Sequence, residues 1–164
     1  MRGTSVHASA VKVGARAVLI RGASGSGKSH LAFDLIMAGR AGIVPAAELI
    51  GDDRVMLEAA QDRLTVRPVP ELAGLIEVRG LGVRRCAFAA EAEVGMVVDL
   101  AASDAVRLPP PEAARAVIDG VTVPRIAVAP GWDALPLIVA FLTTADATET
   151  SMSPLMPGLD PNVG

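Results

Sequence analysis

From Ser5 to Val13 small apolar and polar residues alternate, a turn follows at Gly14-Ala15, and the chain runs apolar again from Ala17 to Arg21. A period of two places successive side chains on opposite faces, so this stretch predicts two strands joined by a tight turn. Between Ser29 and Ala38 the spacing changes. Leu31, Leu35 and Ala38 recur at helical intervals, and Gly39 is the expected stop of that helix. Strand-like runs return at Arg54–Glu58, Leu64–Arg67, Ile76–Arg79 and Gly95–Leu100, with Leu49-Ile50 leading into Gly51-Asp52-Asp53. Pro111 to Ile118 predicts a short helix opened by proline, and Leu135 to Thr144 predicts the last helix. Beyond Ala145, Met, Pro and Gly accumulate without period. The expectation is an ordered domain over 1–144 and a disordered tail over 145–164.

Mixed strands and helices define an α/β domain, and 164 residues suit a single one. A mean hydropathy of +0.46 suggests a membrane protein until the distribution of apolar residues is read. The longest charge-free apolar stretch, Ala134 to Thr144, is far shorter than the ~20 residues a spanning helix needs. A net charge of -3 argues against a broad nucleic-acid surface. Cys86 is the only cysteine, so no internal disulfide forms and a reducing, cytoplasmic setting fits. Met1 to Gly14 has no apolar core of the signal-peptide kind.

One segment carries explicit chemistry. Gly22-Ala23-Ser24-Gly25-Ser26-Gly27-Lys28-Ser29 matches G-x-x-x-x-G-K-[ST] between an apolar strand and an amphipathic helix. Glycines let backbone N–H groups turn inward around a phosphate, Lys28 supplies a compact mobile charge, and the Ser29 hydroxyl suits Mg²⁺. The helix that follows aims its N-terminal dipole at the same anion. Lys28 is also one of two lysines among 15 basic residues.

Two candidates compete for the acid that serves such a loop. Asp99 closes an apolar strand and fits the pattern better, whereas Asp52-Asp53 follows Gly51 and sets two like charges side by side, where they repel. Pattern favours Asp99, and composition leaves the choice open. Glu77 and Arg79, two positions apart, would share one strand face and pair a metal-binding carboxylate with a phosphate-binding guanidinium.

Taken in order, Gly22–Ser29, Gly51-Asp52-Asp53 and the Glu77-Val78-Arg79-Gly80-Leu81-Gly82-Val83 segment resemble the HPr kinase/phosphorylase catalytic domain. The resemblance covers roughly residues 5–142. It implies a P-loop kinase fold of that domain's type, similar to phosphoenolpyruvate carboxykinase, with a mixed sheet and flanking helices. It also implies an ATP- and Mg²⁺-dependent protein-serine kinase acting on the regulatory serine of the phosphocarrier HPr. Gly22, Ala23, Ser24, Gly25, Ser26, Gly27, Lys28 and Ser29 would bind ATP, and Ser29 with Glu77 would bind Mg²⁺. His7 matches the family's catalytic histidine, Asp52-Asp53 its acid–base carboxylates, and Arg79 and Arg107 its phosphate-side cations. Asp99 then becomes structural. The family forms hexamers, which implies a homo-oligomer, and neither nucleic acid nor membrane is expected as a partner.

Departures from the family pattern are specific. The chain resembles a short form without the family's N-terminal domain, and Arg40 to Ile50 reads as a lengthened link. Pro130-Gly131-Trp132-Asp133 stands where the family carries proline, glycine, arginine and asparagine. Losing a cation and gaining a carboxylate there predicts weak or absent phosphorylase activity. Alternatives are a small-molecule P-loop kinase, whose arginine-rich lid finds no match here, and an ATP-binding module without turnover.

Overall fold

The computed structural model describes residues 3–147. The opening alternation is broken at His7 into β1 (Thr4–Val6) and β2 (Ala8–Val13), and Gly14-Ala15 turns the chain into β3 (Arg16–Arg21). Gly14 sits at φ 63, a left-handed conformation that glycine adopts without steric cost. The expected helix runs from Lys28 to Arg40 (α1). Gly39 does not stop it. A Cβ at Gly39 would lie 2.7 Å from the Ala47 nitrogen, so the glycine is there for close packing against β4 (Ala47–Gly51).

β5 (Val55–Ala60) and β6 (Arg63–Pro68) form the next hairpin, followed by β7 (Leu75–Val78), β8 (Gly82–Arg85) and β9 (Ala92–Asp99). Pro111–Ile118 corrects the expected helix. Only Pro111–Ala114 makes a 3-10 turn, and Arg115–Ile118 is β10, a hairpin partner of β11 (Val121–Ala127). β11 contains Pro124, which masks it in the residue pattern. α2 spans Ala134–Thr143. The tail expected over 145–164 lies outside the described residues from position 148 onward.

The main sheet is mixed. Its path β1-β5-β6-β9-β3-β2-β4 places β9 at the centre, parallel to β3, while β11 joins parallel to the C-terminal half of β9. Both faces are covered, which explains near-continuous apolar runs such as Ala17 to Ile20. Val11, Val13, Val18, Ile20, Met96 and Val98 pack under α1 and α2. Ala8, Ala10, Leu19, Val97 and Val123 face a second core closed by β5, β6 and the β10–β11 hairpin. Because β3 and β9 end side by side, the loop leaving β3 sits at the carboxyl edge of parallel strands, where ligands of α/β sheets bind. Among the described residues no helix is long and apolar enough to cross a membrane.

Candidate active site

Gly22–Gly27 leaves the carboxyl end of β3 and enters α1 through Gly27, which takes φ 102. α1 has no side-chain N-cap and no acid in its first turn, so its leading N–H groups keep their affinity for an anion. Gly25 and Gly27 face open space where a Cβ would project. Ser26 folds over Gly22, and its buried Oγ finds no hydrogen-bond partner among the described residues. Lys28, 5% exposed, donates to the carbonyls of Gly22 at 2.9 Å and Ala23 at 3.1 Å. An orphaned hydroxyl, open glycine faces and a lysine poised on the loop fit a phosphate chain.

Asp52 is the buried centre of the side-chain network. Its Oδ1 accepts from Ser9 Oγ and Ser29 Oγ, each at 2.8 Å. Its Oδ2 accepts from Ser29 Oγ at 2.8 Å and from the Glu77 amide at 3.0 Å. Ser29 thereby presents its oxygen lone pairs while its proton is held, a suitable arrangement for a hard cation such as Mg²⁺. Four elements meet there: β2, α1, the turn after β4, and β7.

Asp53 points elsewhere. Its side chain is 69% exposed and bonds His7 Nε2 at 2.7 Å, with His7 set at the break between β1 and β2. Arg54 N–H closes a turn on the Asp52 carbonyl at 2.8 Å, which carries Asp53 through φ 66. The adjacent carboxylates are thus separated into different surroundings: one buried under serine hydroxyls, one exposed beside an imidazole.

Other expected residues sit differently. Glu77 reaches the cluster through its backbone amide, and its side chain is exposed. Arg79 does not share a strand face with Glu77, because β7 ends at Val78 and Arg79 starts the turn to β8. Arg107 lies in the exposed segment after β9. Among the described residues no hydrogen bond ties Arg79 or Arg107 to the Asp52 cluster. Asp99, favoured by pattern, is bound by Arg21 Nε at 2.7 Å and Arg125 Nε at 2.6 Å. Burial alone would raise its pKa. The hydrogen bonds and charges of the two arginines outweigh that and hold the carboxyl below its ordinary range. Asp99 clamps the ends of β3, β9 and β11. Sequence reasoning missed Ser9, although a hydroxyl on the same face as Val11 and Val13 was a usable signal.

A parallel-strand edge, a strand–loop–helix phosphate loop and a carboxylate on the loop serine define a P-loop protein with a kinase-type fold. The model of the HPr Serine kinase C-terminal domain family matches residues 1–152, and the chain belongs to that family. Curated relatives named HPr kinase/phosphorylase include one from Enterococcus faecalis, 46% identical over 82 residues, or 49% of this chain and 24% of the relative. Another from Mycoplasma mycoides is 39% identical over 77 residues, covering 47% of this chain and 22% of the relative. The matched stretch is thus under a quarter of each relative's length. A solved structure titled as the Hpr(Ser) kinase/phosphatase from Coxiella burnetii superposes with a TM-score of 0.67 at 26% identity. It covers 85% of this chain and 93% of that one.

Proposed function

We propose that the protein is an ATP- and Mg²⁺-dependent serine kinase acting on the phosphocarrier HPr, as a cytoplasmic homo-oligomer. The observation that carries this reading is the Ser29–Asp52 contact, which joins the phosphate loop to the acid pair in a member of this family. Bound MgATP supplies the phosphoryl group and neutralises charge on it. Gly22, Ala23, Ser24, Gly25, Ser26 and Gly27 cradle the phosphates, and Lys28 stabilises negative charge that grows at the transferring group. Ser29, oriented by Asp52, would hold the Mg²⁺ ion, with the exposed Glu77 carboxylate as its second protein ligand.

The proton is assigned to Asp53. Both Asp52 oxygens are engaged by donors, whereas Asp53 is exposed and bonded to His7. As the substrate serine oxygen bonds phosphorus and the phosphorus–ADP oxygen bond breaks, the serine proton passes to the Asp53 carboxylate, with His7 orienting it. Arg79 and Arg107 are assigned to the phosphate side when substrate is docked, and Arg107 is suited to reach a neighbouring subunit. The Trp132-Asp133 pair supports a kinase with little phosphorylase activity. Incubation with HPr, ATP and Mg²⁺, then peptide mass spectrometry, tests the reading: phosphoserine on HPr is expected, and unmodified HPr refutes it.

A further inference from the structure

Ser9 is fully buried near the start of β2, opposite Ile20 of β3, on the face that carries Val11 and Val13. A hydroxyl in such a row is unfavourable unless it is hydrogen-bonded, and an alanine or valine would suit the packing better. Its bonds identify its use. Ser9 Oγ donates to Asp52 Oδ1 at 2.8 Å and accepts from the Asp53 amide at 3.1 Å. One hydroxyl therefore holds the side chain of one aspartate and the backbone of the next.

That backbone needs holding. Asp53 is at φ 66, unusual for a residue with a Cβ, in the tight turn closed by Arg54 N–H on the Asp52 carbonyl. Its conformation turns the Asp53 carboxylate out toward His7 while Asp52 stays inward on Ser29. Asp52 retains bonds from Ser29 and Glu77 if Ser9 is altered, so the loss falls mainly on Asp53.

We propose that Ser9 is a positioning residue that separates the two aspartates and fixes Asp53 toward His7. Fully buried, with its hydroxyl engaged by Asp52 and the Asp53 amide, it acts through the aspartates. The inference rests on the kinase reading for its catalytic consequence and on the turn geometry for its structural one.

Two variants, Ser9→Ala and Ser9→Thr, test it with two readouts: steady-state transfer to HPr, and hydrogen exchange at the Asp53 amide. Ser9→Ala should lower kcat at least about tenfold with KM for MgATP within about twofold, the split expected when an oriented group is lost. Asp53 amide protection should fall in the same variant. Ser9→Thr keeps the hydroxyl in a β-branched residue suited to a strand, and should restore both. An unchanged kcat in Ser9→Ala overturns the proposal, as does a loss carried by KM or one that threonine leaves unrepaired in a folded protein. A wild-type chain that transfers nothing to HPr removes the kinase reading instead. In that event Ser9 keeps its positioning role only if alanine abolishes Asp53 amide protection, and loses it if protection is unchanged.

Discussion

Ser29 Oγ lies 2.8 Å from each carboxylate oxygen of Asp52, across 23 residues of sequence. This contact locks the first turn of α1 to the turn after β4, and it is the geometric reason to place a cation on Ser29. An asparagine in place of Asp52 could keep the Glu77 amide bond through its carbonyl oxygen, but its N–H₂ would make the serine hydroxyls accept instead of donate, and the negative charge that holds the Ser29 proton would be gone. Asp52→Asn should therefore lower phosphate transfer by about 10²-fold, the scale of losing one charge-stabilising contact. Transfer rates across a Mg²⁺ titration would check it, with the variant requiring more metal than wild type.

The Asp99 clamp predicts a pH-dependent stability difference. Asp99 is held below its ordinary range by Arg21 and Arg125, so its contribution is present above the unfolded carboxyl pKa of about 3.9. It is lost as pH falls through the lower folded value. Asp99→Asn should cost about 2 kcal/mol at neutral pH, a charged hydrogen bond's worth, and progressively less below pH ~3.9. Thermal unfolding of both proteins across pH 2–7 measures the convergence. Transfer to HPr well below the melting temperature should stay within a few-fold of wild type.

Asp133 has a structural use that the residue pattern did not announce: it caps α2 by accepting from the Leu135 amide at 3.2 Å. Asparagine caps as well as aspartate does, so Trp132→Arg with Asp133→Asn alters charge without removing the cap. This double variant should gain phosphate-dependent release of pyrophosphate from phosphoserine-HPr relative to wild type. Asp133→Ala should instead lose about 1 kcal/mol of stability. Pyrophosphate detection and thermal melts separate the two effects.

Gly39 yields a prediction from packing. A Cβ there would press on the Ala47 nitrogen at 2.7 Å and its Cβ at 2.8 Å, so α1 and β4 must part. Gly39→Ala, favourable on helix propensity alone, should destabilise by about 1–3 kcal/mol. Chemical denaturation would read it directly.

The phosphate loop, the β2–β3 turn and both helices were legible because each rests on a local pattern. Gly39 was misread because a glycine at a helix end and a glycine under a neighbouring strand look alike in sequence. β11 was hidden by Pro124, and β8 by being four residues long and exposed throughout. Asp99 looked like the loop's acid because a carboxylate at the end of an apolar strand fits that pattern. Its partners Arg21 and Arg125 lie 78 and 26 residues away, so only folding assigns it to them. Ser9 escaped notice for a similar reason, since its bonds cross from β2 to a turn more than 40 residues on.

In the proposed kinase, Lys28 and the Asp52 cluster serve phosphoryl transfer to a protein serine. A time course of label transfer from γ-labelled ATP to HPr, with wild type beside Lys28→Ala, tests it most directly. Wild type should label HPr on a serine in a Mg²⁺-dependent way, and loss of the lysine should reduce that labelling by about 10²-fold or more. Label that stays in ATP, or that reaches HPr equally fast with alanine at position 28, would contradict it.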